Sequence, residues 1–462
     1  MRRLLKCFVA SFFATIMHAG DPPKLSIKNG DVQGRTKHVL GKTIEIYQGI
    51  PFARPPVGNL RFKDPVPADP WTGIYNATEP KTACTQKVFH GDFAPYVNLS
   101  EDCLYINVWT PARSQPLRAV LVWIYGGGFS IGSAYQHWYD GSALAALYDV
   151  VVVTFNYRLN IFGFLNAGVP EAQGNVGLMD QNLALRWVQD NIKSFGGDPS
   201  TVTMFGESAG SFSVSAHILS PLSKGLFRRA VLMSGAYDTD GLLDSSSDSL
   251  TKGNKVAELV GCASAHKNLS SHPKEVLKCL RSKPAHELCE ATYNVSAHKS
   301  VSFIPSYPNA FMPKRPTVAI KKGEFSNVDV MLGVTANEGN FIIMCFPDSR
   351  IQTEDLDGIS EDELRKVLRS VALAWLPDKL APTLQSCLLC TGNQIFTRMR
   401  PLLKYSLVLC FLKLMDAERQ SSMELNGQPT RQKIQRRSGS SLEIIRCTGI
   451  SGRRTVISGR SI

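Results

Sequence analysis

Residues 202–210 read Val-Thr-Met-Phe-Gly-Glu-Ser-Ala-Gly, and this stretch decides the fold. The apolar run 202–205 predicts a buried strand, and Ala209–Leu219 predicts a helix directly after it. Between them lies a Gly-x-Ser-x-Gly motif, which in this context is typical of a serine nucleophile on a sharp strand-to-helix turn. We therefore predict strained backbone angles at Ser208, flanking glycines where side chains would clash, and a hydroxyl placed at a helix N-terminus.

Four more short apolar runs predict further buried strands, at 119–125, 150–155, 230–233 and 328–332. Residues 182–194 carry apolar side chains near helical spacing and predict a helix. Strands that alternate with helices predict an α/β fold with a large, mostly parallel central sheet and helices on both faces. The 462 residues are 44% hydrophobic, which is enough to bury a core of that size.

Three consecutive glycines, Gly126 to Gly128, follow the apolar run 119–125. Glycines let the backbone approach a substrate carbonyl closely and point N–H donors at it. Together with the N–H of Ala209, they predict a three-donor oxyanion hole for a tetrahedral intermediate formed on Ser208.

Several longer stretches resemble the type-B carboxylesterases and cholinesterases, which have the α/β-hydrolase fold. The resemblance covers residues 25 to 385 and lies in 48–53, 55–58, 60–62, 101–108, 156–158, 174–181, 195–199 and 205–210. It implies acyl transfer from a small-molecule carboxylic ester to a serine, followed by hydrolysis, with no metal and no cofactor.

The resemblance also assigns roles to single residues. It implies that Ser208 is the nucleophile, that Gly127, Gly128 and Ala209 form the oxyanion hole, that Glu338 is the triad acid, and that Glu207 lines the site. It further implies two disulfides, Cys84–Cys103 and Cys262–Cys279, and two structural ion pairs, Arg61–Glu101 and Arg158–Asp180. Glu338 follows the serine in the order that this fold uses, and the glycine after it fits a turn.

A serine hydroxyl attacks an ester only when a base takes its proton, and in this fold the base is a histidine after the acid. Residues 339–462 contain no histidine. We do not expect His137, His217 or His298 to substitute, so we expect little or no turnover, since loss of the base costs about 10⁴–10⁶ in rate. The alternative is a catalytically inactive, neuroligin-like adhesion or binding member of the same fold.

The segment between Cys84 and Cys103 bears on the substrate. Cholinesterases hold a quaternary ammonium on a tryptophan in this loop by cation–π attraction. The loop here contains Phe89, Phe93 and Tyr96 but no tryptophan. We therefore favour a general carboxylesterase over a choline-specific enzyme.

The two ends of the chain differ from its body. Residues 1–20, basic and then apolar, predict a secretory signal peptide, and the apolar run 4–17 within them is too short for a transmembrane segment. Residues 21–385 form the predicted esterase domain. Nine of the twelve net positive charges fall in 386–462, and this segment has no aromatic residue after 411. We therefore predict a disordered basic tail and an incomplete C-terminal part of the fold. This composition is also typical of an altered reading frame or splice form.

Other features agree with a secreted glycoprotein. Sequons for N-glycosylation lie at Asn76, Asn98, Asn268 and Asn294, and eleven cysteines favour disulfides over a zinc site. The positive charge belongs to the tail and accompanies no base-reading module, so we expect no nucleic-acid partner. The sequence leaves the oligomeric state open.

Overall fold

The computed structural model describes residues 21–88, 95–112, 116–237, 242–295 and 303–335, together with the backbone of 443–446. The predicted signal peptide lies outside these ranges, as does most of the predicted tail.

In the described residues, nine strands precede the first α-helix, and strands and helices are interspersed after it. The strands are β1 Lys24–Ile27, β2 Gly30–Gln33, β3 Arg35–Val39, β4 Lys42–Pro51, β5 Ile74–Asn76, β6 Ala83–Cys84, β7 Leu99–Ser100, β8 Tyr105–Pro111, β9 Arg118–Ile124, β10 Val151–Phe155, β11 Asn166–Val169, β12 Ala172–Gln173, β13 Gly197–Glu207, β14 Arg229–Met233, β15 Asp244–Ser245, β16 Ser306–Tyr307, β17 Asp329–Gly333 and β18 Glu443–Arg446. The helices are α1 Ser142–Tyr148, α2 Asn160–Phe164, α3 Val176–Asn191, α4 Ala209–Leu219, α5 Ser246–Leu259, α6 Pro273–Ser282, α7 Ala285–Val295 and α8 Pro316–Lys321.

Nine strands form one large sheet in the order β18-β17-β14-β13-β9-β10-β8-β4-β3. Its centre, from β17 to β10, is parallel, and the strands on either side pair antiparallel. The five predicted apolar runs fall in β9, β10, β13, β14 and β17. β18 lies within the predicted tail and pairs with β17.

Helices cover both faces of this sheet. All five residues of β10 are buried, and the four apolar ones divide between two apolar clusters. Val151 and Val153 belong to the cluster that includes α4, whereas Val152 packs with Ala145 and Ala146 of α1. A strand that is covered on both sides carries a continuous apolar run, and this confirms the predicted α/β architecture.

Strand register brings three carboxyl ends together at one edge of the sheet. Gly206, near the end of β13, lies opposite Ile124 of β9 and Leu232 of β14. In open α/β sheets, ligands bind at the carboxyl ends of the strands. The residues that follow these three strands are therefore where a site should be sought.

Both predicted disulfides are confirmed: Cys84 bonds Cys103, and Cys262 bonds Cys279. The predicted ion pair between Arg61 and Glu101 forms through two hydrogen bonds of 2.7 and 2.5 Å. The Arg61 guanidinium also donates to backbone carbonyls at the end of α6, including that of Leu280 at 2.9 Å. A cation at a helix C-terminus stabilises the helix that carries Cys279.

The second predicted ion pair, Arg158–Asp180, is fully buried. The side chain of Arg158 is 3% exposed and that of Asp180 is 0% exposed. Nη2 and Nε of Arg158 donate to the two carboxylate oxygens at 2.6 and 2.8 Å, and the Arg158 backbone N–H donates at 3.0 Å. The pair joins the loop after β10 to α3.

This pair gives a direct test of the packing. We expect Asp180→Asn to lower the free energy of unfolding by about 3–5 kcal/mol, because it leaves a buried guanidinium without its counter-charge. Asp190→Asn is the matched control, since Asp190 pairs with Lys28 at the exposed surface, and it should cost less than about 1 kcal/mol. Urea titration measures both, and equal losses would contradict the buried pair.

Candidate active site

Ser208 lies at the junction between β13 and α4, with φ +55° and ψ −123°. A residue other than glycine rarely takes these angles, and holding it there costs about 1–3 kcal/mol. The Ser208 N–H donates to the carbonyl of Met233 at 2.9 Å, and the Ser208 carbonyl accepts from the N–H of Phe212 at 2.9 Å. The neighbouring strand and the helix therefore fix the serine on the sharp turn that the motif predicts.

The two glycines of the motif are required by close backbone packing. A Cβ on Gly206 would lie 2.5 Å from the carbonyl carbon of Gly210. A Cβ on Gly210 would overlap the carbonyl oxygen of Ile124, the last residue of β9. Helix α4 can start directly over the sheet only because both positions lack a side chain.

Residues 126–132 follow β9 and form a loop beside the serine, here called the glycine loop. A Cβ on Gly126 would lie 3.1 Å from the Cβ of Ser208 and 2.7 Å from the carbonyl oxygen of Glu207. Gly127 and Gly128 follow with φ of +101° and +62°, angles that glycine adopts without strain. The structure thus brings the predicted glycine loop against the predicted nucleophile.

Within the loop, the carbonyl groups of Gly127 and Gly128 accept hydrogen bonds from later residues of the same turn. The carbonyl of Gly127 accepts from the N–H of Ser130 at 3.0 Å and of Ile131 at 3.1 Å. The N–H groups of Gly127, Gly128 and Ala209 form no hydrogen bond with another described residue. Such donors beside a nucleophile are suited to stabilising an oxyanion.

Glu207 lies exposed at the end of β13, next to the serine. The negative charge of Glu207 acts on the nearby phenol of Tyr139. Burial raises the pKa of the Tyr139 phenol, and the nearby negative charge of Glu207 raises it further, while a hydrogen bond with the Trp138 side chain opposes the change. Glu207 therefore adds a negative field close to Ser208, which itself is partly exposed.

His217 is buried in the core and is not placed as a base. Its Nδ1 lies 2.7 Å from Oγ of Ser223 and its Nε2 lies 3.1 Å from Oε1 of Gln181. Its ring packs edge-on against Phe311 at 5.1 Å. Burial lowers the pKa of His217 to about 3, so the ring is neutral and its nitrogens are occupied by structural partners.

The other two candidate bases are His137 and His298, and the predicted acid is Glu338. His137 is exposed and its ring packs edge-on against Tyr96 at 5.0 Å. His298 and Glu338 lie outside the described residues. Within the described part of the chain, no histidine hydrogen bonds to the Ser208 hydroxyl.

Other predicted features of the protein have these positions. Asn76, Asn98 and Asn294 are exposed, and Asn268 is partly exposed, so an oligosaccharide can reach the first three without unfolding. Among the described residues, no group of three or more His, Cys, Asp or Glu side chains is arranged to hold a metal ion. In the same residues, no helix combines the length and apolar character that crossing a bilayer requires.

Sequence reasoning missed two side chains that shape this site. Tyr139 ends a short 3-10 helix, His137–Tyr139, and the charge of Glu207 raises the pKa of its phenol, but a lone tyrosine carries no sequence signal. Gln86 pairs with the backbone of Gly132 across a separation of 46 residues. Its position two residues after Cys84 was the one available hint, because a disulfide fixes its neighbours in space.

Comparison with known proteins supports one family. The model of the carboxylesterase family matches residues 21–395. The acetylcholinesterase of Bungarus fasciatus is 40% identical over 354 residues, which are 74% of this chain and 57% of that relative. The chain thus spans a little over half the length of this curated relative.

The strain at Ser208 can be measured. We expect Ser208→Gly to raise the free energy of unfolding by about 1 kcal/mol, because glycine relieves 1–3 kcal/mol of backbone strain and loses about 0.5–1 kcal/mol to chain entropy. Ser208→Ala, which keeps the Cβ, should leave stability nearly unchanged. Equal stabilities of the two variants in urea titration would contradict a strained turn.

The buried histidine predicts a pH dependence of stability. Its pKa is about 3 in the folded protein against 6.5 in the unfolded chain, so the unfolded chain binds the extra proton below pH 6.5. Stability should fall as pH falls from 6.5 toward 3, with His217 contributing at most about 1.4 kcal/mol per pH unit.

We expect His217→Gln to flatten this slope between pH 6.5 and 5, where most carboxylates stay ionised. An unaltered slope in His217→Gln would show that the ring is not held neutral.

Proposed function

Because the chain belongs to the carboxylesterase family, we propose that it hydrolyses carboxylic esters through an acyl-enzyme on Ser208. The observation that carries the proposal is the contact between the strained serine turn and the glycine loop, 3.1 Å from the Ser208 Cβ to a Cβ position on Gly126. Ser208 is partly exposed and lies next to this loop at the carboxyl end of the sheet, which supports the proposal.

The proposed reaction has two steps. The Ser208 oxygen attacks the ester carbonyl, and the negative charge that develops on the carbonyl oxygen is received by the N–H groups of Gly127, Gly128 and Ala209. The C–O bond to the alcohol breaks, the alcohol leaves with a proton, and the acyl group stays on the serine. Water then attacks the acyl-serine, which releases the carboxylic acid and restores the hydroxyl.

Each step requires a base for the proton of the serine or of the water. We propose Glu338 as the acid that would orient a histidine, on its place in the sequence. Residues 339–462 contain no histidine, and the neutral, fully bonded His217 does not replace one. We therefore propose that the turnover rate of this chain on esters is about 10⁴–10⁶-fold lower than that of an enzyme with an intact triad.

The substrate proposal concerns the loop closed by the first disulfide. Residues 84–103 contain no tryptophan, the side chain that attracts a quaternary ammonium most strongly. We propose small general carboxylic esters as substrates in preference to choline esters. The two disulfides and the exposed sequons support a secreted glycoprotein.

The second candidate is a non-catalytic member of the family that acts by binding or adhesion. It is favoured by one observation, the lack of any described histidine on the Ser208 hydroxyl. The retention of the strained serine turn speaks against it, because a binding protein gains nothing from a backbone conformation that costs stability.

Chemical rescue distinguishes these candidates. We expect the secreted protein to hydrolyse an aryl ester barely faster than Ser208→Ala, and added imidazole to accelerate the wild type well beyond the same variant, because it supplies the missing base. With imidazole present, a fluorophosphonate probe should label Ser208, because phosphonylation of the hydroxyl requires the same base. Rapid turnover without imidazole would show that a histidine of this chain already serves as the base. If the serine is not labelled and imidazole does not restore turnover, the binding role is favoured.

A further inference from the structure

The side chain of Gln86 forms a two-way hydrogen bond with the backbone of Gly132. Its Oε1 accepts from the Gly132 N–H at 2.8 Å, and its Nε2 donates to the Gly132 carbonyl at 2.8 Å. Nε2 also donates to the carbonyl of Cys84 at 3.0 Å. Gln86 is 4% exposed, so these bonds are made away from water, where an unsatisfied partner is costly. The amide therefore pairs with Gly132 much as a neighbouring strand would.

Gly132 in turn closes the glycine loop on itself. Its φ is +119°, and a Cβ there would lie 2.6 Å from the ring of Tyr125 and 2.9 Å from the carbonyl oxygen of Gly126. A Cβ on Gly127 would overlap the carbonyl of Ile131. The two ends of the loop are thus in direct backbone contact, and a displacement of Gly132 has to move Gly126 and Gly127 as well.

The glutamine lies on an anchored segment. Cys84, two residues earlier, is bonded to Cys103. The carbonyl of Thr85 accepts from the side chain of Asn160 at 3.2 Å, and the backbone N–H of Asn160 donates to the carbonyl of Phe129 at 2.7 Å. Asn160 therefore bonds both the segment near the disulfide and the glycine loop, so the segment that carries the glutamine is held in a fixed position relative to the loop.

We propose that Gln86 is a positioning residue for the oxyanion donors. By holding Gly132, it keeps the N–H groups of Gly127 and Gly128 aimed at the carbonyl oxygen of an ester bound at the serine. The inference rests on the proposed esterase function for its chemical consequence, but not for its structural one. A misplacement of about 1 Å at such donors is enough to cost about 10²-fold in rate.

The test compares two matched glutamines. Gln86→Leu removes the pairing with Gly132. Gln189→Leu is the control, because Gln189 also donates its amide to two backbone carbonyls, those of Pro199 and Leu226 at 3.0 and 2.9 Å, and neither partner belongs to the glycine loop. Hydrogen exchange by mass spectrometry reports on the loop amides, and the rate of fluorophosphonate labelling in the presence of imidazole reports on the donors.

In Gln86→Leu we expect faster exchange of the Ser130 and Ile131 amides, which donate to Gly127 rather than to the glutamine, and a 10- to 100-fold slower labelling of Ser208. Gln189→Leu should change neither. Exchange at wild-type rates in Gln86→Leu, or equal effects in both variants, would overturn the positioning role. If the wild-type serine is not labelled at all, the esterase proposal fails, and the exchange measurement alone decides whether Gln86 holds the loop.

Discussion

The close approach of helix α4 to strands β9 and β13 is the constraint on which the rest of the site depends. Gly206 and Gly210 face each other and the carbonyl of Ile124 at distances that leave no room for a Cβ. The chain can turn from strand to helix there only by placing the intervening serine at a positive φ. The strain at Ser208 is therefore a consequence of the packing, and the neighbouring strand and helix over-determine it through their hydrogen bonds.

The same packing explains why the glycine loop lies where it does. β9 and β13 are parallel neighbours, and Gly206 is in register with Ile124, so the residues that leave β9 pass the serine at once. The loop is then held from its far end by Gln86, next to the first disulfide. A buried disulfide is in this way connected to the backbone donors at the site by a buried amide.

Much of this arrangement could be predicted from the sequence, because its signals are local. The apolar run and Gly-x-Ser-x-Gly motif fixed β13, the turn and α4, and α4 has the predicted bounds Ala209–Leu219. The disulfides and ion pairs were predictable from resemblance alone. The Gln86–Gly132 pairing was not predictable, because it joins residues 46 apart through one polar side chain, and no period or spacing encodes such a contact. His217 looked like any helical histidine, and only its burial against Gln181 and Ser223 shows it to be a structural residue.

A crystal structure of the protein after treatment with an aryl phosphonate in the presence of imidazole would test the central claim most directly. The account predicts phosphorus bonded to the Ser208 oxygen and one phosphoryl oxygen within hydrogen-bonding distance of the N–H groups of Gly127, Gly128 and Ala209. An unmodified serine, or a phosphoryl oxygen turned away from the glycine loop, would contradict it.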